Sequence, residues 1–251
     1  MALFKSGNPA LSEKIFDKAI GTQHTDVMTV RGTLNKFGIL FILVMATAGL
    51  AWKMAADGVN IVPYMWGSLI GGLILALITI FKPQWAGWAA PIYALFEGFF
   101  LGAISSYYNF AFAKIAPNII IQAVGLTFGV VLAMFALYYF RVIQATERFK
   151  SVVITATAGI AIFYLISWIL RMFGVTIPFI HEGSTIGIIF SLVVVGIAAL
   201  NLILDFDMIE QGAQRGAPKY MEWFGAFGLL VTIVWLYLEI LRLLAKLSDR
   251  R

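Results

Sequence analysis

The chain has 251 residues, of which 61% are hydrophobic and 12% are charged, and its formal net charge is +5. A soluble domain carries about twice that charged fraction, so the composition excludes a soluble globular protein and predicts an all-α, polytopic membrane protein. Cysteine is absent, which removes disulfides, thiol nucleophiles and Cys-ligated metals. The positive charge is spread along the loops, which is typical of membrane topology and not of nucleic-acid binding.

Seven apolar windows approach or exceed the roughly 20 residues that a membrane-spanning helix needs. They cover about 37–54, 63–81, 86–107, 119–140, 151–171, 185–207 and 223–247. The gaps between them are too short for a second domain. We therefore expect a cytoplasmic N-terminal arm over 1–36, a seven-helix transmembrane domain over 37–247 and a charged tail over 248–251.

The arm and the loops carry the topology signals. Asn8, Pro9 and Gly21 predict a short amphipathic helix, which is either regulatory or a surface helix lying on the lipid headgroups. Without the tail, 11 Lys and Arg residues lie on the N-terminal side and three on the other side. This ratio predicts a cytoplasmic N-terminus. Seven full spans then place the C-terminus outside, which the four basic residues from Arg242 onward disfavour.

Three glycine pairs have the small-xxx-small spacing that lets two helices approach closely. They are Gly67/Gly71, Gly98/Gly102 and Gly125/Gly129. Pairs of this kind indicate a tightly packed bundle and no particular chemistry.

Acidic side chains within apolar windows are the main candidates for function, because an ionisable group in hydrocarbon costs several kcal/mol unless it faces protein or water. Glu97 lies in the middle of the third window, with no lysine or arginine within two helical turns. We therefore expect Glu97 to face the interior of the bundle, either protonated or lining a wet cavity.

The sixth window carries two acids on different faces. Asp205 shares one face with Ser191, Ala198 and Asn201, whereas Asp207 points about 200° away at 3.6 residues per turn. The semi-polar face favours Asp205 as the inward acid. Asp207 is interpreted as a helix end at the membrane surface.

The last window has a semi-polar stripe around Glu239. The stripe contains Gly225, Gly228, Thr232, Trp235, Glu239, Arg242 and Lys246. If Glu239 faces Asp205, the two carboxylates titrate as a unit, and the pair can share a proton, coordinate Ca²⁺ or bind a neighbouring basic residue. The alternative is an i,i+3 ion pair between Glu239 and Arg242 near the membrane surface. Lys82 is a weaker candidate partner.

An enzymatic function finds no support in the sequence. His24 and His181 lie in the arm and in a loop, and there is no HExxH motif, phosphate-binding loop or Ser/His/Asp grouping. We therefore predict neither an enzyme nor a resident cofactor.

Two stretches near the C-terminus resemble the signature of the Bax inhibitor/TMBIM family. In residues 204–210, Leu-Asp-Phe-Asp-Met-Ile-Glu, Asp205 is followed four residues later by Ile209. In residues 235–244, Trp-Leu-Tyr-Leu-Glu-Ile-Leu-Arg-Leu-Leu, Glu239 stands where the family usually has aspartate. Residues 96–102 resemble the family's third helix, and residues 8–14 and 217–223 look like a bacterial branch of it.

The resemblance implies a seven-helix bundle around a central last helix, a pH-responsive pair of acids and Ca²⁺ leak through the membrane. Asp205 and Glu239 are then the gating acids and transient Ca²⁺ contacts. Supporting or ion-pathway roles fall to Glu97, Asp207, Asn201 and Arg242. The expected partners are the lipid bilayer of a bacterial inner membrane, Ca²⁺, protons and a membrane protein. The alternatives are a non-conducting stress or protease-modulating interaction protein and, third, a proton-coupled transporter.

The connection between the sixth and seventh helices differs from the family pattern. In a plain hairpin turning near Gly216, Asp205 lies eleven residues from the turn and Glu239 twenty-three. At 1.5 Å per residue, this is an axial mismatch of roughly 18 Å. The acids meet only if residues 212–222 include an extra element or if the helices are offset. Glutamate at 239 also lengthens the side chain by one methylene.

Overall fold

The computed structural model describes residues 26–174 and 184–250, which contain seven long α-helices. The helices are α1 (Val30–Ala56), α2 (Val62–Phe81), α3 (Ala86–Ala111), α4 (Ile119–Tyr139), α5 (Glu147–Met172), α6 (Thr185–Gln214) and α7 (Met221–Ser248), with a 3₁₀ turn at Pro83–Trp85. Each is long and apolar enough to cross a membrane, which confirms the predicted all-α, polytopic class. The expected arm helix and His181 lie outside the described residues.

Two helices extend well beyond their apolar windows. α1 begins at Val30, seven residues before position 37, because Thr29 caps it and accepts a hydrogen bond from Gly32 N at 2.9 Å. α6 continues to Gln214 through a polar turn in which Gln211 Nε2 donates to Asp207 Oδ2 at 2.6 Å. An apolar window therefore detects the part of a helix that suits lipid and misses its polar ends.

The connection between α6 and α7 is a tight turn and not an additional helix. Gly216 adopts the left-handed region with φ of 71°, which glycine tolerates without steric cost. Residues 26–28 pair with this turn: Val27 lies opposite Pro218 in an antiparallel bridge, and Met28 N donates to the Ala217 carbonyl at 2.7 Å. Of the two alternatives for residues 212–222, an extra element or offset helices, the structure shows no additional helix there but an isolated β-bridge to the residues before α1.

The described chain divides into two compact units. Unit 1 contains residues 111–174, 184–206 and 232–250, and unit 2 contains residues 26–110 and 207–231. α6 and α7 each contribute one segment to each unit.

Unit 2 is packed through glycine. A Cβ atom built on Gly98 would lie 2.3 Å from the Val44 carbonyl oxygen, and one on Gly102 would lie 2.3 Å from the Ala48 carbonyl oxygen. The backbones of α1 and α3 are therefore in direct contact, which confirms the close approach expected for this pair. Beside it, the rings of Tyr93 and Phe227 meet edge to face at 4.9 Å and join α7 to α3.

The other two glycine pairs do not bring helix backbones together. Cβ atoms on Gly67, Gly125 and Gly129 would find no atom of the described chain within 4 Å, and one on Gly71 would meet only the ring of Phe96. The spacing permits a contact between two helices only where a partner helix lies on that face.

Unit 1 is packed through aromatic side chains. Phe206 on α6 meets the rings of Phe135 and Tyr138 on α4 at 5.5 and 5.9 Å. Phe190, also on α6, lies 5.2 Å from Phe163 on α5. These contacts hold α4 and α5 against the same helix.

The last helix is the most buried of the seven. No residue between positions 221 and 246 is exposed, whereas α5 buries only Lys150 and Val153. The predicted central position of the last helix is confirmed.

Candidate functional site

A polar network surrounds Glu239 in unit 1. The side chain is only 1% exposed, and Arg242 Nη1 donates to its two carboxylate oxygens at 2.9 and 2.8 Å. The Tyr164 hydroxyl lies 3.1 Å from both oxygens, and Trp235 Nε1 donates to Oε1 at 3.2 Å. The i,i+3 ion pair that the sequence offered as an alternative is therefore present.

Tyr164 joins α5 to this network. Its hydroxyl oxygen accepts a hydrogen bond from Arg242 at 2.7 Å, while the guanidinium lies 5.1 Å from the centre of the Tyr164 ring. The hydroxyl thus donates to the acid and accepts from the base. The positive charge of Arg242 compensates the charge of the Glu239 carboxylate within a buried environment.

Lys246 sets the register between α6 and α7. Its Nζ donates to Ser191 Oγ at 2.8 Å and to the Gly187 carbonyl at 3.0 Å, so residue 246 lies level with residues 187–191. Asp205 is 14 residues from Ser191 and 18 from Gly187, whereas Glu239 is seven residues from Lys246. At 1.5 Å per residue the two acids are offset along the axis by roughly 10–17 Å. The closeness of the Ile209 side chain to Gly225 gives an offset of about 15 Å in the same way.

Asp205 and Asn201 form the inward face of α6. Asp205 is fully buried and Asn201 is 1% exposed, and Ser191 and Ala198 on the same face are equally buried. Asn201 Nδ2 donates to Thr157 Oγ1 and to the Ile197 carbonyl, both at 2.8 Å. Its Oδ1 atom accepts no hydrogen bond from the described residues. The face predicted from the sequence is therefore the buried one.

The remaining predicted acids lie in unit 2. Asp207 is half-buried within the polar last turns of α6 and accepts from Gln211. Glu97 is 9% exposed and hydrogen-bonded to Tyr93 one turn earlier on α3. A Cβ atom at Gly72 would lie 3.5 Å from Glu97 Oε2, so Glu97 faces α2 inside the unit, as expected.

A further buried carboxylate, Glu222, was not predicted as a site. Glu222 stands in the first turn of α7 and is fully buried. Thr29 donates to Oε1 through its backbone N at 2.9 Å and through its hydroxyl at 3.0 Å. Lys219 Nζ lies 2.9 Å from Oε1, and Lys36 forms an ion pair with Oε2.

The sequence contained a weak signal for this cluster. Lys36 stands immediately before the first apolar window and Glu222 immediately before the last, so two opposite charges each precede an apolar window. Because the two residues are 186 positions apart, helical spacing cannot pair them. Tyr164 was missed for a similar reason, since a tyrosine inside an apolar helix gives no indication of its partner.

In the part of the chain that the structure describes, no group of three or more His, Asp or Glu side chains is arranged to bind a metal ion. Asp205 and Glu239 supply one carboxylate each, roughly 10–17 Å apart along the helices. A contact of either acid with Ca²⁺ stays a prediction for a passing ion.

Comparison with protein-family models matches residues 8–249 to the family described as Bax inhibitor 1 like. Neither the curated proteins nor the solved structures give a match. The matched region covers both C-terminal motifs, all seven helices and the buried acids described above. The chain is therefore a polytopic membrane protein that belongs to the Bax inhibitor 1-like family.

Proposed function

We propose that the chain is a pH-sensitive Ca²⁺ leak pathway controlled by protonation of Asp205 and Glu239. The observation that carries the proposal is the burial of both acids on adjacent antiparallel helices of one unit. A buried carboxylate needs a proton, a cation or a polar partner to offset its desolvation. Proton and cation binding at such a position therefore compete.

The axial offset changes how the acids act together. An offset of roughly 10–17 Å is too far for a direct hydrogen bond between carboxyl groups. Two charges at that distance interact by about 1–1.7 kcal/mol at an effective dielectric constant of about 20. The upper part of this range reaches the roughly 1.4 kcal/mol above which two sites titrate as a coupled pair. We therefore propose electrostatic coupling along the helices and not a shared proton.

Asn201 supports an ion or water position between the acids. Its Oδ1 atom is buried and receives no hydrogen bond from the described chain. Asn201 lies one helical turn from Asp205 on the same face. Amide and carboxylate oxygens are the ligands that Ca²⁺ prefers, so this face suits a transient contact with a hard cation.

Purified protein in lipid vesicles tests the proposal. We expect Ca²⁺ entry, followed with a trapped fluorescent indicator, to exceed entry into protein-free vesicles and to change between pH 6 and pH 8. Flux equal to that of empty vesicles, or flux that does not change with pH, would contradict it. Vesicles that contain Asp205→Asn provide the matched comparison.

A second candidate function is a non-conducting interaction protein in which the acids only pack the bundle. The contacts of Glu239 with Arg242 and Tyr164 favour it, because an acid balanced by a guanidinium stabilises a helix pair without sensing protons. Arg242→Gln separates the two functions. Under the leak proposal, flux stays pH-dependent with a shifted midpoint; under the packing alternative, no pH-dependent flux exists and only thermal stability in detergent falls.

We also propose that the protein lies in a bacterial inner membrane with a cytoplasmic N-terminus, as the distribution of Lys and Arg indicates. Because the chain has no cysteine, single cysteines report topology directly. Asp57→Cys, in the turn after α1, should react with a membrane-impermeant maleimide added to whole cells, and Gln144→Cys, before α5, should not. The reverse pattern would place the N-terminus outside.

A further inference from the structure

The Glu222 cluster joins two segments of unit 2 that are distant in sequence, residues 29–36 and residues 219–222. Thr29 and Lys36 belong to the start of α1, Lys219 belongs to the turn after α6, and Glu222 opens α7. The carboxylate is fully buried and receives two hydrogen bonds from Thr29 and two ammonium contacts. Its position in the first turn of a helix also suits a negative charge.

The carboxylate of Glu222 lies directly against Gly32, which has no side chain. A Cβ atom on Gly32 would lie 2.0 Å from Glu222 Oε1 and 2.3 Å from Cδ. The Glu222 side chain thus occupies the space that any larger residue at position 32 would need. Lys36, one turn further along α1, lies over the ring of Trp223 at 5.6 Å from its centre.

The backbone part of the same junction is small. It consists of the bridge between Val27 and Pro218 and of the hydrogen bonds Met28 N to Ala217 O and Lys219 N to Asp26 O, at 2.7 and 3.2 Å. A bridge of one residue pair is a marginal structure by itself. The ion pairs of Glu222 with Lys36 and Lys219 therefore stabilise the docked turn.

The docked turn lies between the two helices that carry the proposed gating acids. α6, which contains Asp205, ends at Gln214, and α7, which contains Glu239, begins at Met221. A movement of residues 215–220 displaces the ends of both helices, because each helix is continuous from the turn to its acid. The junction is thus placed to restrain the proposed leak pathway.

We propose that Glu222, held by Lys36, Lys219 and Thr29, is a latch that keeps the α6–α7 turn docked on the start of α1 and holds the leak low. This inference rests on the proposed leak function. Release of the carboxylate leaves the short bridge and the buried apolar residues Met28, Ala217 and Met221 to hold the junction, and the turn with the ends of α6 and α7 gains freedom to move. Glu222 acts as a positioning residue and touches no permeating ion.

A reversible cross-link tests the latch in a chain that has no native cysteine. Val27 and Pro218 face each other in the antiparallel bridge, and its hydrogen bonds flank the pair, so their Cα atoms lie about 4.5 Å apart. This separation falls within the range of about 4.4–6.8 Å that disulfides span. Val27→Cys with Pro218→Cys therefore locks the junction when oxidised and frees it when reduced.

Vesicles with the cysteine pair are measured with and without Glu222→Gln. We expect Glu222→Gln in the reduced form to raise Ca²⁺ entry several-fold, and oxidation of the same sample to return it to the level of the cysteine pair alone. Equal flux in the oxidised and reduced forms of Glu222→Gln would overturn the latch, as would a decrease in flux in the reduced form.

Matched variants separate a latch from a loss of folding. Gly32→Ala pushes against the Glu222 carboxylate, while Gly38→Ala on the same helix meets no described atom within 4 Å. We expect Gly32→Ala to raise flux as Glu222→Gln does, and Gly38→Ala to leave it unchanged. Lys36→Met should also act more strongly than Lys219→Met, because the side chain of Lys36 is 18% exposed and that of Lys219 50%.

A readout without flux keeps the latch distinct from the leak proposal. Pro218 is buried, so a single Pro218→Cys reacts slowly with a maleimide while the turn is docked. If no variant conducts Ca²⁺, the leak proposal fails, and the labelling rate judges the latch alone. Faster labelling in the Glu222→Gln background supports it, and an unchanged rate overturns it.

Discussion

The helices inside each of the two units are held together by different kinds of contact. In unit 2 the backbones of α1 and α3 touch through Gly98 and Gly102, and such close backbone packing has almost no freedom to adjust. In unit 1, a Cβ atom built on the glycine at position 125, 129, 159 or 196 would meet no described atom outside its own helix backbone within 4 Å. There, aromatic rings and a polar network around Glu239 join the helices.

The difference indicates where movement is least costly. Side chains of unit 1 can change rotamers and exchange hydrogen bonds, whereas a shift of α1 against α3 in unit 2 meets carbonyl oxygens directly. Both proposed gating acids lie in the adjustable unit. Unit 2 instead anchors the ends of α6 and α7 through the Glu222 cluster. We therefore expect substitutions in unit 2 to affect folding most and substitutions in unit 1 to affect pH response most.

The largest loss of stability should follow Gly98→Ala. Its added methyl group would lie 2.3 Å from the Val44 carbonyl oxygen and 2.6 Å from the Val44 Cα atom, so α1 and α3 must separate. Overpacking of this kind costs about 3 kcal/mol. Thermal unfolding in detergent measures the loss. Gly125→Ala, which meets no described atom within 4 Å, is the control and should be neutral or slightly stabilising; equal losses would contradict the distinction between the units.

Tyr164→Phe should cost less, about 2 kcal/mol, because it removes a hydroxyl that bonds to the charged groups of Glu239 and Arg242. Thermal unfolding again gives the size of the loss, and the pH response of flux should shift with it. Tyr139→Phe, in the same unit at a residue that is 67% exposed, should change neither quantity. An unaltered pH response in Tyr164→Phe would show that the network does not influence gating.

The smallest effect should come from Glu97→Gln. A glutamine keeps the shape of the side chain and a hydrogen bond to Tyr93, so the free energy of unfolding should change by less than about 0.5 kcal/mol. Glu97→Leu leaves the Tyr93 hydroxyl without this partner and should cost about 1–3 kcal/mol. Thermal unfolding of the two variants shows what unit 2 requires at this position. A large loss of stability in Glu97→Gln would mean that the carboxylate itself is required.

The seven helices could be predicted from the sequence because hydrocarbon length sets a minimum apolar run. Helical spacing alone placed Asp205 on a semi-polar face of α6 and offered the Glu239–Arg242 ion pair as the alternative to a pair of facing acids. The glycine pairs show the limit of such reasoning: three pairs share one spacing, and only Gly98/Gly102 joins two backbones. What decides the outcome is a partner helix on the same side, which local spacing does not contain.

The Glu222 cluster lay beyond sequence reasoning for a related reason. Thr29, Lys36 and Glu222 come together only because residues 26–28 pair with the turn after α6. The register of α6 against α7 was also open. It required the contacts of Lys246 with Gly187 and Ser191, which give the two acids an axial mismatch of roughly 10–17 Å, compared with roughly 18 Å for a plain hairpin.

A double-mutant cycle on Asp205 and Glu239 tests the central claim most directly. Ca²⁺ flux into vesicles is measured between pH 6 and pH 8 for the native chain, Asp205→Asn, Glu239→Gln and the double variant. We predict that either single change removes most of the pH dependence and that the double change adds little, because coupled acids respond as one unit. Independent, additive effects of the two changes, or a pH response that survives in the double variant, would contradict it.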